Sequence, residues 1–169
     1  RDSSDSMLDK KAINRALEAF ELIATQIKEQ AVDQLVAFGT SALREAKNRK
    51  ELIDEIDKKT GIELRVLDGQ DEARLIAKGI LANKETPDQL FVLVDIGGGS
   101  TEISVCRNKS VLESCSLPLG SNRLQQTFLK TVPPKNNSKH NSIDELRQHI
   151  RKLIKNCLLY TSPSPRDKT

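Results

Sequence analysis

The chain has 169 residues, of which 27 are Lys or Arg and 24 are Asp or Glu, for a net charge of +3 at pH 7. This length suits one domain or two small ones, and the charge favours anionic ligands without identifying one. No basic run is interleaved with aromatic side chains, so we expect no nucleic-acid partner. No apolar run reaches the roughly 18 residues that cross a bilayer. No signal-peptide pattern opens the sequence, so we expect a cytoplasmic protein with no membrane partner.

The first half of the chain predicts helices that alternate with strands. Apolar residues spaced three and four apart indicate helices, and short alternating runs indicate strands. The predicted elements are a helix over 8–30, a strand over 34–38, a helix over 49–59 that Gly61 ends, a strand over 62–67 and a helix over 71–83. Helices between strands favour parallel pairing of those strands.

The second half opens differently, with strands that short turns connect. The predicted elements are strands over 90–96, 101–107 and 111–117, a turn over 108–110, helices over 121–130 and 142–156, and a polar loop over 131–141. The change of pattern predicts two subdomains, one over residues 1–70 and one over 71–157. Residues 158–169 resemble a tail that assembled environmental sequences sometimes carry. We expect this tail to be disordered and non-native, so the native chain would continue differently after about Asn156.

The cysteines and histidines do not predict a metal site. Cys106, Cys115 and Cys157 are odd in number and lack metal-ligand spacing, so we expect reduced thiols. His140 and His149 belong to no Cys/His cluster, which argues against structural zinc.

A glycine-rich loop separates the first two strands of the second half, in the stretch VDIGGGSTEISV over 94–105. Consecutive glycines let successive backbone N–H groups converge on an anion, above all phosphate. The hydroxyls of Ser100 and Thr101 can add hydrogen bonds to phosphate. The candidate phosphate-binding residues of this loop are Gly97, Gly98, Gly99, Ser100 and Thr101. The structural alternative is a glycine-rich hairpin turn.

Two carboxylates flank this loop. Asp95 ends the preceding strand and Glu102 begins the next. Carboxylates beside phosphate oxygens suit Mg²⁺, which prefers oxygen ligands and keeps several waters. The loop is not a Walker A motif, because no lysine follows the glycines.

Two other stretches carry candidate residues, each with a structural alternative. Arg44 follows Thr40 and Ser41, which could cap the next helix and place Arg44 in its first turn. The planar guanidinium group of Arg44 suits the oxygens of a phosphate. The structural alternative is that Arg44 is a solvent-exposed arginine. Glu72 opens the helix at the subdomain boundary beside Asp71. It is a candidate general base, and the alternative is stabilisation of the helix dipole.

These three stretches, in this order, resemble the exopolyphosphatase / guanosine pentaphosphate phosphohydrolase (Ppx/GppA) family. The motifs are TSALREA over 40–46, GQDEARL over 69–75 and DIGGGSTE over 95–102. The last motif alone is shared loosely with actin-like ATPases and acetate kinases. The resemblance implies an α/β fold of the actin-like ATPase (ribonuclease-H-like) class, with two subdomains around a cleft.

The resemblance also implies roles for the candidate residues. Glu72 would activate water, Asp95 and Glu102 would lie near Mg²⁺, the glycine loop would hold one phosphate and Arg44 another. The family's first phosphate loop, similar to Asp-x-Gly-Ser-Asn-Ser/Thr, and a later Gly-x-Ser-Gly-Thr loop have no counterpart here. We therefore expect a chain truncated at both ends that is inactive alone.

The resemblance predicts a Mg²⁺-dependent hydrolase that releases terminal phosphate from polyphosphate or guanosine pentaphosphate, with a full-length parent that is a homodimer. Two alternatives remain open. One is a nucleotide-binding ATPase or kinase of the same fold, which would leave the first two motifs unexplained. The other is a non-catalytic phosphate-binding module.

Overall fold

The computed structural model describes residues 6–82, 88–129 and 142–160, with side chains as far as 157. Contacts divide the chain into two compact units, Arg1–Asp68 and Gly69–Thr169. The first unit contains α1 (Lys10–Glu29), β1 (Ala37–Gly39), α2 (Ser41–Glu45), α3 (Arg49–Thr60) and β2 (Leu64–Val66). The second contains α4 (Gly69–Ala82), β3 (Phe91–Ile96), β4 (Thr101–Arg107), β5 (Ser110–Leu117), α5 (Ser121–Phe128) and α6 (Ser142–Tyr160).

In the first unit, two helices pack on a pair of short strands. β1 and β2 are parallel, which confirms the predicted pairing. The Asp9 side chain caps α1 by accepting from the Ala12 N–H at 2.7 Å, and Gly61 ends α3 with φ of 70° in the left-handed region. The core of this unit consists of Ile13, Leu17, Leu52, Ile56, Ile62 and Leu64.

The second unit is built on an antiparallel meander in the order β3-β4-β5, as the sequence predicts. Asn108 and Lys109 form the turn between β4 and β5 with φ of 48° and 59°. Such left-handed pairs match the twist of a two-residue hairpin.

α4 covers one face of this meander. Cys106 of β4 is fully buried against Ala77 and Leu81 of the helix. The Ser104 hydroxyl donates to the Ala73 carbonyl at 3.4 Å. At the start of the helix, a Cβ added to Gly69 would lie 2.5 Å from the Ser116 Cβ. The first turn of α4 therefore lies at the end of the sheet where β4 begins.

The cysteine prediction is wrong for two of the three residues. Cys115 of β5 and Cys157 of α6 are joined in a disulfide, because α6 brings its last turns onto β5. Cys106 is free and buried.

The prediction of a disordered tail from residue 158 is wrong at its start. α6 continues to Tyr160, so the prediction of disorder is wrong for residues 158–160. No Gly or Pro stops the helix before Pro163. The predicted loop over 131–141, with His140, and residues 161–169 lie outside the described residues. Within the described part of the chain, no helix is long and apolar enough to span a bilayer.

Candidate phosphate-binding site

The glycine loop joins β3 to β4, as predicted. The Gly97 N–H donates to the Ser100 carbonyl at 3.0 Å and closes the turn. Among the described glycines, Gly61 is the one with positive φ, so the loop glycines are not required by backbone conformation. Space is tight at two of them, because a Cβ on Gly98 would lie 3.0 Å from the Asn122 Nδ2 and one on Gly97 would lie 3.3 Å from the Ser100 oxygen.

The carbonyl groups of the loop face the first turn of α5. The Ser121 N–H donates to the Gly97 oxygen at 2.9 Å. The Asn122 and Arg123 N–H groups donate to the Gly98 oxygen at 3.0 and 3.1 Å. The loop thus satisfies the N–H groups that the start of a helix leaves without partners.

Two side chains of α5 contact the same carbonyls. The Arg123 Nε donates to the Gly99 oxygen at 2.7 Å, and the Ser121 hydroxyl donates to the Gly97 oxygen at 3.2 Å. All three glycine carbonyls of the loop are therefore held by one short helix.

The N–H groups of the loop consequently face away from α5. In a planar trans peptide, the C=O and N–H point in opposite directions. The N–H groups of Gly98, Gly99 and Ser100 belong to the three peptides whose carbonyls α5 holds. None of these N–H groups has an acceptor among the residues that the structure describes. A row of three such donors is a backbone arrangement that can bind an anion, so this loop is the candidate phosphate-binding site.

The two hydroxyl residues of the loop are buried. The Thr101 hydroxyl donates its hydrogen to the Leu119 carbonyl at 2.9 Å, so it has no second hydrogen to donate to a phosphate. Ser100 is 5% exposed, and its carbonyl oxygen closes the loop. The backbone N–H groups therefore supply most of the donors that this loop offers to an anion.

The candidate metal ligands are neighbours across the sheet. Asp95 and Glu102 pair directly in the β3–β4 register, so their side chains share the face that α4 covers. Glu102 is 3% exposed, and its Oε1 accepts from the Ser116 hydroxyl at 2.7 Å, whereas Asp95 is exposed. Both residues line a small cavity of about 40 Å³ between α4 and the sheet.

Glu72 lies in the first turn of α4 and is half-buried. It precedes Ala73, whose carbonyl accepts from Ser104, two residues beyond Glu102. It also lies one helical turn before Ile76, which lines the same cavity as Asp95. The structure therefore brings Glu72, both predicted metal ligands and the start of β4 to one end of the second unit.

Arg44 belongs to the first unit, where it lies in the last turn of the five-residue α2 and not in the first turn, as was predicted. Its Nη1 donates to the Leu67 carbonyl at 3.1 Å, and the Arg49 Nη1 donates to the Arg44 carbonyl at 2.7 Å. Thr40, expected to cap the helix, makes no side-chain hydrogen bond there. The guanidinium is thus fixed just after β2, and its role toward phosphate stays a prediction.

The pair of carboxylates fits Mg²⁺. In the described part of the chain, no group of three His, Cys, Asp or Glu residues could hold a metal ion. Mg²⁺ does not need such a group, because it is usually bound by one or two carboxylates together with waters and substrate phosphates. This site offers two carboxylates, of which Asp95 is exposed and Glu102 accepts a hydrogen bond from Ser116. That number of carboxylates is the number that Mg²⁺ usually takes from a protein.

Three residues that position the loop were not predicted from the sequence. They are Gly120, Ser121 and Arg123, all at the start of α5. A Cβ on Gly120 would overlap the backbone of Gly98 and Gly99, so only glycine fits there. The available signal was a glycine directly before the serine that begins the predicted helix.

Comparison with known proteins identifies the family. The family model of the Ppx/GppA phosphatase family matches residues 1–162. This chain belongs to that family. Exopolyphosphatase 1 of Mycobacterium tuberculosis (strain ATCC 25618 / H37Rv) is 31% identical over 131 residues, which are 78% of this chain and 38% of that protein. The chain therefore spans well under half the length of this relative.

Solved structures agree with this assignment. An exopolyphosphatase from Cytophaga hutchinsonii has a TM-score of 0.76 and 32% identity, covering 89% of this chain and 49% of that one. An exopolyphosphatase-like protein has a TM-score of 0.81 and 30% identity, covering 91% and 49%. The fold is thus the α/β fold of these exopolyphosphatase structures.

Proposed function

We propose that this chain forms the phosphate-binding and catalytic part of a phosphohydrolase that removes the terminal phosphate of inorganic polyphosphate. The observation that carries the proposal is the row of N–H groups of Gly98, Gly99 and Ser100, directed away from α5 and next to the Asp95–Glu102 pair. The resemblance to named exopolyphosphatases supports polyphosphate as the substrate class. We further propose that the enzyme acts in the cytoplasm.

In the proposed mechanism, the loop N–H groups bind the oxygens of the terminal phosphate and oppose their negative charge. Phosphoryl transfer depends mainly on such positioning and electrostatic stabilisation. Glu72 accepts a proton from the attacking water, and Arg44 binds a further phosphate. Asp95 and Glu102 would hold Mg²⁺, which would supply positive charge to the phosphate oxygens when bound. The hydrogen bond from the Ser116 hydroxyl restrains the Glu102 carboxylate, which supports this proposed role.

Guanosine pentaphosphate is the second substrate of the proposal, because it also presents terminal phosphoanhydrides. A nucleotide-binding ATPase or kinase of the same fold is the main alternative. That alternative gives no role to Glu72 or Arg44. Glu72, however, lies at the same end of the second unit as the glycine loop, which favours the phosphohydrolase.

Side-by-side phosphate release tests the proposal. Polyphosphate, guanosine pentaphosphate and ATP are compared at equal phosphoanhydride concentration over a Mg²⁺ series. The chain is assayed alone and in a version extended at both ends. We expect Mg²⁺-dependent release from polyphosphate by the extended protein and little release by the chain alone. Faster turnover of ATP than of polyphosphate would favour the ATPase alternative.

A further inference from the structure

We propose that Arg123 is a positioning residue that sets the orientation of the phosphate-binding N–H groups. Its Nε donates to the Gly99 carbonyl at 2.7 Å, and its own N–H donates to the Gly98 carbonyl at 3.1 Å. Arg123 thus holds two successive carbonyls of the loop, one through its side chain and one through its backbone. The inference rests on the proposed function of this loop as an anion site.

The argument follows from the geometry of the peptide unit. The Gly99 carbonyl and the Ser100 N–H share one planar peptide, as do the Gly98 carbonyl and the Gly99 N–H. Holding these carbonyls therefore fixes the direction of both N–H groups. A glycine-rich segment has no side chains of its own that could restrict its backbone, so the restriction must come from elsewhere.

The start of α5 supplies this restriction from several directions. Ser121 holds the Gly97 carbonyl through both its N–H and its hydroxyl. Gly120 packs directly on the backbone of Gly98 and Gly99. Arg123 adds the contact to the third carbonyl and does so with a charged donor, which makes the stronger kind of hydrogen bond.

Preorganisation of this kind lowers the cost of binding. An anion that binds a mobile loop must order it, whereas a loop already held in the binding conformation needs no such ordering. Arg123 would therefore raise affinity for phosphate without contacting it. A lysine cannot replace it, because an ammonium on a flexible stem does not reproduce the planar Nε donor.

The test uses the ¹⁵N-labelled chain and inorganic tripolyphosphate as the probe. Amide resonances of Gly98, Gly99 and Ser100 are recorded before and during titration, for the parent and for Arg123→Gln and Arg123→Lys. Arg151→Gln is the charge-matched control, because Arg151 is exposed on α6. Thermal melts check that each variant is folded.

We expect both Arg123 variants to displace the loop amide resonances before ligand is added and to weaken tripolyphosphate binding about tenfold. The control should match the parent in both respects. Parent-like binding by Arg123→Lys would mean that only charge matters, and parent-like resonances in Arg123→Gln would mean that the loop holds itself. Either result overturns the positioning role.

A variant that does not fold and a parent that does not bind tripolyphosphate would each still give an answer. If Arg123→Gln does not fold, Arg123→Lys and Ser121→Ala decide the question, since the serine variant removes one hydrogen bond of the same set. If tripolyphosphate leaves the loop amides of the parent unchanged, the proposed anion site is wrong. The resonances of the ligand-free variants then still decide whether Arg123 orients the loop.

Discussion

Glu72 and Glu102 lie at the same end of the second unit but in different surroundings. Glu72 is half-buried in the first turn of α4, whereas Glu102 is 3% exposed and bonded to Ser116. An accessible carboxylate suits exchange of a proton with water, and a fixed carboxylate suits a metal ion. The two residues should therefore respond differently to the same substitution.

Glu72→Gln should lower turnover of polyphosphate by the extended protein by about 10²–10⁴, the usual contribution of a positioned general base. Binding should be largely unchanged, because glutamine keeps the size and hydrogen bonding of the side chain. Turnover and affinity are measured separately. Glu113→Gln is the matched control, because Glu113 is exposed on β5 and pairs with Val105 on the opposite face of the sheet. If Glu72→Gln turns over polyphosphate as fast as the parent does, Glu72 is not a general base and only stabilises the dipole of α4.

Glu102→Gln should instead raise the Mg²⁺ concentration needed for half-maximal activity, by an amount on the order of tenfold. The substitution removes one negative charge from the metal side and leaves an amide that can still bond Ser116. Turnover at saturating Mg²⁺ should fall less than in Glu72→Gln. An unchanged Mg²⁺ dependence would show that Glu102 is a structural buried acid.

At the scale of elements, the contact between α5 and the glycine loop should be the most sensitive to added volume. Gly120→Ala places a Cβ against the backbone of Gly98 and Gly99, which cannot move aside as a flexible side chain can. We expect a loss of about 1–3 kcal/mol in the free energy of unfolding. The measurement is urea denaturation followed by circular dichroism.

Gly79→Ala is the matched control for this substitution. Gly79 lies in α4, and an added Cβ would meet nothing within 4 Å. Alanine should stabilise this helix by up to about 1 kcal/mol. Equal effects of the two substitutions would mean that α5 and the loop are not closely packed.

The strands of the second unit were predictable because β3 is a near-continuous apolar run, β4 and β5 alternate, and the turns between them are short. β4 matches its predicted range of 101–107, and α4, β3 and β5 differ from prediction by at most two residues at an end. The strands of the first unit are shorter than predicted. β1 covers Ala37–Gly39 rather than 34–38, since β2 pairs with it over only those positions. An apolar run in the sequence indicates that a segment can form a strand. It does not show over how many residues the neighbouring strand will pair with it.

The candidate site was predictable in its local part only. The glycine loop, its two flanking carboxylates and Glu72 are visible in short sequence motifs. The hydrogen bonds from Ser121 and Arg123 join residues 24 positions apart and exist only once β5 has returned α5 to the loop. The disulfide was missed for the same reason, because spacing alone does not show that α6 packs on β5.

At the scale of the whole molecule, each unit has a core made from its own residues. Ile56 lies at the centre of the first core and is fully buried. Leu81, in the second core, is 2% exposed and packs with Cys106. Because neither cluster includes residues of the other unit, we expect the two units to open independently.

Cys106 provides a reporter for the second unit. Burial raises the pKa of the Cys106 thiol above its ordinary value. The thiolate is the reactive form, so at about pH 8 the native protein should react slowly with a thiol reagent. For labelling of the native state, the rate should keep rising with pH above the pH at which an exposed thiol is already ionised, because the Cys106 thiol has the higher pKa. Cys106 is the free cysteine, so no reductant is needed.

Two matched core truncations then test independence. Leu81→Ala and Ile56→Ala should each destabilise their own unit by about 2–5 kcal/mol. We expect Leu81→Ala to speed labelling of Cys106 more than about tenfold, since labelling follows the population of the opened unit. Ile56→Ala should speed amide hydrogen exchange in α1 and α3 and leave the labelling rate of Cys106 unchanged. If Ile56→Ala instead speeds labelling as much as Leu81→Ala does, the chain opens as one cooperative body, and the two cores depend on each other for stability.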